Sequence, residues 1–286
     1  MPLELLAQLC WVAYSPTHFD PTRSPISYPS EDEVRKDLQV LNNAGFDGLV
    51  TYGANYELPG QPGHFIDIPK LAQEAGFKGM ILGVWDPANE AELKTAETAS
   101  LSPIVLGYSV GNEGLGDRYD LSTLTTAIER LRGATYKPVT TTEQVNDYYR
   151  SSPLWEISDW IFPNAHPYFS GISDPKEAVE WTAKVFKNLS SVSNKLILFK
   201  EVGLPSDGDA GLSERNQASY YQLLRKEPVN YVVFEAFDAP WKHLGKPDAS
   251  GRYTWPDPEP HWGVFTSKRA PKPAARGICA ERQGAP

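Results

Sequence analysis

Five acidic residues lie at the ends of apolar segments of the chain, and they are the side chains best suited to bond-breaking chemistry. They are Glu113, Glu143, Glu201, Glu235 and Asp238. A pair of carboxyl groups can cleave a glycosidic bond when one donates a proton to the leaving oxygen and the other attacks the anomeric carbon or activates water. Any one of these acids could instead begin a helix or form an ion pair. What they can do depends on whether the fold brings them together.

The apolar segments that carry these acids belong to a repeating pattern of strand, loop and amphipathic helix. Eight segments are predicted to be strands from their continuous apolar runs. They are Leu6–Tyr14, Gly48–Tyr52, Gly79–Val84, Ile104–Val110, Pro138–Thr142, Trp160–Ala165, Leu196–Glu201 and Tyr231–Phe237. Between them, Ser30 and Asp174 are predicted N-caps of helices. Because eight strand–helix units fit a domain of about 250 residues, the pattern predicts an α/β protein with a single (β/α)8 TIM barrel.

An open, doubly wound sheet is the alternative for such an alternating chain. Sheets of that kind usually carry a Gly-rich phosphate-binding turn after the first strand, whereas residues 14–18 contain no glycine. The glycines within Gly111–Gly116 are spaced in the wrong order for a dinucleotide fingerprint, and they enclose a carboxylate that would repel a pyrophosphate. We therefore favour the closed barrel and expect no nucleotide cofactor.

In a (β/α)8 barrel the residues that do chemistry lie at the C-terminal ends of the strands. Glu113 and Glu201 are 88 residues apart, which is three βα units at roughly thirty residues each. They therefore belong to the fourth and seventh strands, which face each other across the barrel mouth. Lys200 is adjacent to Glu201, but neighbouring residues of a strand point to opposite faces, so it need not lower the pKa of Glu201.

The composition limits the partners and cofactors that the chain can have. The formal net charge of −9 disfavours nucleic acid, which requires a basic face, but it does not repel a neutral polymer. The five histidines are scattered without the spacing of a metal site, so we predict no metal and no other cofactor. No segment is apolar over the length of a membrane span. We therefore expect neither nucleic acid nor membrane as a partner of these residues.

The chain ends support three further expectations. We expect one catalytic domain over residues 1–272 and a poorly packed C-terminal tail over residues 273–286. Residues 243–261 are rich in Pro and Asp and are predicted to form a long loop after the eighth strand. Cys10 and Cys279 could pair if the termini meet. Because Cys10 lies within an apolar run, however, we expect a buried free thiol.

Three motifs resemble those of glycoside hydrolase family 17, and they occur in the order and spacing of the predicted strands. They are Val110–Glu113, Lys200–Ser206 and Phe234–Lys242, and the later segment Pro258–Phe265 is similar to the closing segment of the family. The resemblance extends from about Cys10 to about Lys272. It implies a retaining (β/α)8 enzyme that acts on β-1,3-glucan as a hydrolase or as a glucanosyltransferase.

The resemblance also implies roles for individual residues. Glu113 would be the general acid/base, Glu201 the nucleophile that forms a glycosyl-enzyme, and Asn112 the residue that holds the sugar 2-hydroxyl. The remaining predicted substrate-binding residues are Tyr14, Tyr52, Glu143, His166, Tyr168, Glu235, Asp238 and Trp241. The common Asp-Glu pair near the eighth strand is Asp-Ala here, which affects acceptor-side contacts more than the catalytic pair.

The sequence thus predicts a monomeric, retaining glycoside hydrolase or transglycosylase whose partner is a β-glucan oligosaccharide or polysaccharide. A secreted, periplasmic or cell-surface location is inferred only from where β-glucans usually occur. A catalytically weak β-glucan-binding barrel is the alternative, and it would bind glucan without turnover. A barrel enzyme that acts on another substrate class would need a phosphate loop or a metal cluster, and the sequence shows neither motif.

Overall fold

The computed structural model describes residues 2–243 and 257–280. Within these ranges one curled sheet contains seven parallel strands. They are Trp11–Tyr14, Gly48–Thr51, Gly79–Val84, Val105–Val110, Val139–Thr141, Phe199–Val202 and Tyr231–Val233. In chain order they occupy barrel positions one to five, seven and eight. Neighbouring strands pair in the order five, four, three, two, one, eight, seven.

The sixth barrel position is filled by an extended segment, residues 160–165. In this segment Ile161 forms a bridge with Ile197, and Asn164 forms bridges with both Glu201 and Gln144. It therefore joins the two ends of the sheet and closes the ring, which confirms the predicted (β/α)8 barrel. The segment is less regular than predicted because Pro163 has no backbone N–H to give to the ladder.

Helices connect the strands on the outside of the barrel. They are Glu31–Asn43, Ile68–Ala75, Glu90–Ala99, Leu121–Thr135, the short pair Val145–Arg150 and Ser152–Ile157, Pro175–Ser190 and Glu214–Leu224. Two predicted N-caps are confirmed, since the side chains of Ser30 and Asp174 accept backbone N–H groups of the helices that follow them. A hairpin, Glu57–Leu58 with Gln61–Phe65, follows the second barrel strand. None of the described helices combines the length and apolarity needed to cross a membrane.

Alternate residues of the barrel strands build two apolar layers. The inner layer fills the barrel and includes Ala13, Val50, Ile81, Leu106, Phe162, Leu198 and Val232. Their sequence neighbours, such as Val12 and Tyr14, belong to the outer layer with the residues of the surrounding helices. This alternation decides which strand-end side chains can reach the barrel mouth.

The beginning of the chain differs from the prediction. Residues Pro2–Gln8 form a helix rather than the start of the first strand. Leu6 and Leu9 of this segment pack with Trp11 in the inner layer, and the Trp11 indole donates to the Leu6 carbonyl at 2.8 Å. A short apolar run is compatible with a strand or with a buried helix, and here the helix covers the N-terminal end of the barrel.

The end of the described chain is packed rather than loose. Cys279 forms a disulfide with Cys10, with 5.7 Å between their Cα atoms, so the expectation of a free thiol is wrong. The 3-10 helix Pro273–Ala275 packs against the helix Glu214–Leu224, and Ile278 is buried. The chain ends therefore meet below the barrel, and residues 273–280 belong to its wall. Of the predicted loop, residues 244–256 lie outside the described residues, as do residues 281–286 of the predicted tail.

Candidate active site

The two predicted catalytic carboxylates meet at the mouth of the barrel. Glu113 follows the fourth strand in a left-handed conformation with φ of 50°, and its side chain is exposed. Glu201 lies in the seventh strand and is 5% exposed. One oxygen of each carboxylate and one ring nitrogen of His166 all lie within 4.8 Å of one another. The two acids thus flank a space that could hold one scissile bond.

Glu201 is surrounded by groups that favour its ionised form. The Tyr52 hydroxyl donates to Oε1 at 2.9 Å, and His166 Nε2 lies 3.2 Å from Oε2. Burial by itself would raise the pKa of Glu201, but His166 and the positive charges of Lys200 and Lys242 outweigh burial and leave the pKa below its usual value. The carboxylate is therefore charged at neutral pH, as a nucleophile requires.

Lys200 also points toward the mouth, contrary to the expectation from strand alternation. Its Nζ donates to the amide oxygen of Asn112 at 2.6 Å. The pairing of the seventh strand with the eighth shifts register between Phe199 and Val202. Such a bulge re-aims side chains next to active sites, and it lets Lys200 and Glu201 act on the same site.

Asn112 connects Lys200 to the side of the site that carries Glu113. The amide nitrogen of Asn164 donates to Glu113 Oε1 at 2.7 Å and lies 3.4 Å from the amide oxygen of Asn112. Since that oxygen faces two donors, the amide nitrogen of Asn112 is the group that can donate to a ligand. Burial lowers the pKa of Lys200 to about 8, although Glu201 and other carboxylates favour its charged form.

Glu143 supports the loop that carries Glu113. It is buried, and its Oε1 accepts the Tyr119 hydroxyl at 3.0 Å and the two backbone N–H groups that follow Glu113 at 3.4 and 3.2 Å. Burial raises the pKa of Glu143, and these hydrogen bonds oppose that rise. The structure thus places Glu143 behind the catalytic loop, where it fixes the loop backbone.

Glu235 and Trp241 lie on the eighth-strand side of the mouth. Both oxygens of the buried Glu235 are 2.8 Å from Lys242 Nζ. Burial raises the pKa of Glu235 to about 7, although the charge of Lys242 lowers it. The ammonium group of Lys242 lies 5.6 Å from the centre of the Trp241 ring, and that ring contacts Phe19 edge-on at 6.2 Å.

Tyr14 is not part of this cluster. Ala13 fills the barrel interior, so Tyr14 points outward, where it is fully buried and donates to Asp37 at 3.0 Å. Tyr52, by contrast, has the same parity as the interior residue Val50 and reaches Glu201. The prediction of Tyr14 as a substrate contact is therefore wrong, because a shift of one position in a strand moves a side chain to the other face.

Two further predicted groove residues have hydrogen-bond partners outside the cluster. Asp238 accepts a hydrogen bond from the buried Lys272 at 2.6 Å, which ties the eighth-strand loop to the end of the chain. The Tyr168 hydroxyl donates to Asp209 at 2.7 Å, and its ring packs edge-on against Trp262 at 6.3 Å. Asp238 therefore has a structural partner, and Tyr168 is held by Asp209 and Trp262.

Three residues contact the predicted cluster but have no role predicted from the sequence. They are Asn164, Lys200 and Lys242. Asn164 is a polar residue within an apolar strand segment, and that feature could have identified it. Lys242 belongs to the motif Phe234–Lys242, but no role is predicted for it. Its pairing with Glu235 depends on a turn that the sequence does not define. For Lys200, regular alternation predicts a side chain on the face opposite Glu201, and the bulge breaks that alternation.

The same cluster could also bind a cation. Glu113, His166 and Glu201 offer two carboxylate oxygens and one imidazole nitrogen within 4.8 Å of one another. That donor set suits Zn²⁺. Because these atoms are the ones arranged around the space for a scissile bond, a bound ion would occupy the place of a substrate.

Comparisons with known proteins match most of the chain. A family described as the BtgE/BtgC glycoside hydrolase domain matches residues 12–263. A probable glucan endo-1,3-beta-glucosidase btgC of Aspergillus fumigatus is 27% identical over 289 residues, which cover 87% of this chain and 40% of the relative. A probable beta-glucosidase btgE of Aspergillus oryzae is 28% identical over 259 residues, which cover 82% of this chain and 39% of the relative. The chain thus spans less than half the length of these curated relatives.

Solved structures share the fold. A glycoside hydrolase family 17 beta-1,3-glucanosyltransferase from Rhizomucor miehei superposes with a TM-score of 0.71 at 20% identity, covering 94% of this chain and 97% of that one. An endo-laminarinase from Formosa superposes with a TM-score of 0.66 at 18% identity, covering 91% and 84%. The neighbours include a member of the family that the motifs resemble. With residues 12–263 matched, the chain belongs to the BtgE/BtgC glycoside hydrolase domain family.

Proposed function

We propose that the protein is a retaining glycoside hydrolase or transglycosylase that acts on β-1,3-glucan through a covalent glycosyl-enzyme. The observation that carries this proposal is that one carboxylate oxygen of Glu113 lies within 4.8 Å of one carboxylate oxygen of Glu201. Retaining enzymes hold their carboxyl groups about 5–5.5 Å apart, whereas inverting enzymes need roughly 6.5–9.5 Å to admit a water molecule. The short separation favours direct attack by a carboxylate.

The substrate class is supported by the relatives. Those related to this chain include probable glucan endo-1,3-beta-glucosidases, and one structural neighbour is an active-site mutant of the Rhizomucor miehei enzyme in complex with laminaritriose. A glucan is uncharged, so the net charge of −9 does not oppose its binding.

Glu201 is the nucleophile in this proposal. Its lowered pKa keeps it ionised, and its burial leaves it poorly hydrated. One carboxylate oxygen attacks the anomeric carbon, a C–O bond to the enzyme forms, and the bond to the leaving sugar breaks. Tyr52 and His166 hold the carboxylate in place during attack.

Glu113 is the general acid/base. It donates its proton to the leaving glycosidic oxygen and then accepts a proton from the molecule that attacks the glycosyl-enzyme. Its exposed position suits exchange with an incoming water or sugar hydroxyl, and Asn164 orients it. Attack by water completes hydrolysis, whereas attack by a glucan hydroxyl completes transfer, and both release Glu201 as a carboxylate.

The disulfide supports a location outside the cytosol, where the protein would bind glucan. The Cys10–Cys279 bond closes nearly the whole chain, and such bonds persist mainly in oxidising compartments. We therefore propose a secreted, periplasmic or cell-surface location. A redox-state measurement on protein isolated from its native host would test it, and fully reduced cysteines would contradict it.

Trapping the intermediate tests the catalytic assignment. A 2-fluoro β-glucoside with a good leaving group should label Glu201, as read by peptide mass spectrometry. Label on Glu143 or Glu235 would overturn the assignment. Glu113→Ala should lose turnover of glucan but retain turnover of aryl glucosides, with rescue by azide. The matched control is Glu129→Ala, an exposed glutamate on the outer helix Leu121–Thr135, which should behave as the wild type.

Product analysis separates the remaining alternatives. Incubation with a short β-1,3-gluco-oligosaccharide should give longer products if transfer occurs and only shorter ones if water alone attacks. A catalytically weak binding barrel would bind the oligosaccharide and release it unchanged.

A further inference from the structure

A second concave surface lies beside the barrel mouth, between two loops. One loop, residues 20–27, follows the first strand, and the other is the hairpin Glu57–Leu58 with Gln61–Phe65, which follows the second. Together they border a cavity of about 890 Å³, within the ~300–1,000 Å³ typical of ligand sites. The side chains that characterise its lining are Arg23, Ile26, Tyr28, Glu57, Leu58 and Gln61. This surface is called the outer groove below.

Both walls of the outer groove are fixed by internal hydrogen bonds. The first loop is closed by two backbone bonds between Asp20 and Ser27, at 2.9 and 3.1 Å. The hairpin is held by the Glu57 carboxylate, which accepts the Gly63 N–H at 3.2 Å. Walls that are already ordered lose little conformational entropy when a ligand binds. The groove is therefore a preformed surface.

A series of aromatic rings connects the outer groove to the active site. Trp241 lies beside Lys242 at the mouth and contacts Phe19 at 6.2 Å. Phe19 contacts Tyr28, which lines the groove, at 5.8 Å, and Tyr56 beneath it at 5.3 Å. The surface between the two sites is thus built on aromatic side chains, whose apolar faces suit the C–H faces of sugars.

The position of the acid indicates which part of a substrate would lie there. Glu113 belongs to the fourth strand, and the general acid must contact the oxygen of the leaving group. The loops after the eighth, first and second strands lie across the ring from those after the fourth, fifth and sixth. The glycosyl part that remains on the enzyme therefore extends toward the outer groove.

The lining of the outer groove suits a neutral sugar chain. Arg23 and Glu57 offer one positive and one negative group, so the lining has no excess of either charge for an ionic ligand. Gln61 and the two charged side chains can hydrogen-bond hydroxyl groups, while Tyr28 and the 43% exposed Ile26 offer apolar contact. An apolar surface with a few polar groups is the usual composition of a ligand site.

We propose that the outer groove binds the glucose units of a β-1,3-glucan that lie farthest from the cleaved bond on the donor side. This inference rests on the proposed function, and it adds that the enzyme prefers long donors. Only a glucan long enough to pass the aromatic series gains contacts in the groove, so the preference depends on chain length.

Chromogenic β-1,3-gluco-oligosaccharides measure that preference directly. The readout is the ratio of kcat/KM for a hexasaccharide donor to that for a disaccharide donor. Tyr28→Ala should lower this ratio about tenfold, which corresponds to ~1.4 kcal/mol of lost contact. Because Tyr28 packs on Phe19 and its loss could impair folding, Ile26→Ser at an exposed position is the second variant, with an expected drop of about threefold. The matched control is Tyr136→Ala, a 93% exposed tyrosine at the end of an outer helix, which should keep the wild-type ratio.

The outcomes separate this inference from the proposed function. If the wild type turns over glucan and both groove variants keep its ratio of kcat/KM values, the proposed role of the outer groove is overturned and the proposed function is not affected. Absence of wild-type turnover would overturn the proposed function. Calorimetry with the hexasaccharide would then test whether the outer groove binds glucan. Weaker binding by the groove variants than by the control would support the groove, and equal or absent binding would overturn it.

Discussion

Removal of the Glu143 carboxylate should displace Glu113, which we propose as the general acid. Glu113 has a left-handed backbone, a conformation that costs a non-glycine residue about 1–2 kcal/mol. The loop must therefore be held by its surroundings. Glu143 supplies that hold by accepting three hydrogen bonds, two of them from the N–H groups that follow Glu113. In Glu143→Ala the Leu115 N–H and the Tyr119 hydroxyl lose this acceptor, and the Gly114 N–H keeps only the Tyr119 hydroxyl.

The size of the effect follows from the hydrogen bonds. A hydrogen bond to a charged group contributes about 1.5–3 kcal/mol, so the two bonds from the loop backbone exceed the cost of the strained conformation, and without them the loop relaxes. A displacement of about 1 Å at a catalytic group lowers rate by about 100-fold. We expect Glu143→Ala to lose about 100-fold in kcat on glucan. Glu143→Gln, which keeps one acceptor oxygen, should lose about tenfold.

The assay compares two leaving groups. A natural glucan needs protonation of its leaving oxygen, whereas an aryl glycoside with an acidic phenol does not. If Glu143 positions the acid, Glu143→Ala loses much more activity on glucan than on the aryl glycoside. A loss of equal size on both substrates would refute the reasoning, and so would full activity on glucan. Circular dichroism of each variant confirms that the barrel is folded.

Three further predictions concern protonation, metal binding and stability. The pKa of Glu235 is raised from 4.5 to about 7, so the folded state holds this proton more tightly than the unfolded state and loses stability as pH rises from about 4.5 to 7. Glu235→Gln lacks that loss. The difference in unfolding free energy between this variant and the wild type, measured in urea, should therefore shift by ~2–3 kcal/mol in favour of the variant between pH 5 and pH 8. A difference that is the same at both pH values would contradict this. Zn²⁺ should inhibit the enzyme competitively, because Glu113, His166 and Glu201 converge on the space for the scissile bond, and a chelator should restore activity. An undiminished zinc affinity in Glu113→Ala would place the ion elsewhere. The double variant Cys10→Ser/Cys279→Ser should lose ~2–5 kcal/mol of unfolding free energy with unchanged kcat, so an unchanged urea midpoint would refute a stabilising role of the bond.

The approach of Glu113 to Glu201 was predictable because topology alone positions both residues. Parallel strands of a closed ring present their C-terminal ends on one rim, so a residue at the end of an apolar segment is assigned to the mouth without knowledge of side-chain packing. Glu113 and Glu201 satisfy this condition, and the family resemblance adds their roles. An error of two or three residues in a predicted strand limit does not move such a residue from the C-terminal to the N-terminal end of the barrel.

Side-chain direction was less predictable because it depends on single positions. Tyr14 and Tyr52 both end predicted strands, yet only Tyr52 has the parity of the barrel interior. Contacts between distant segments were also out of reach. The pairing of Cys10 with Cys279 requires the two chain ends to meet below the barrel, and local apolar patterning describes only the surroundings of each cysteine.

The bulge in the seventh strand shows why the remaining features depend on three-dimensional structure. Regular alternation would place Lys200 and Glu201 on opposite faces, and of the two lysines that lower the pKa of Glu201 only Lys242 would then act on it. The register shift lets one buried ammonium group lower the pKa of Glu201 and hold the oxygen of Asn112 beside Glu113. Burial disfavours the charge of Lys200, but its pKa of about 8 leaves it mostly protonated at neutral pH. One local irregularity therefore links the pKa of Glu201, the proposed nucleophile, to the surroundings of Glu113, the proposed acid.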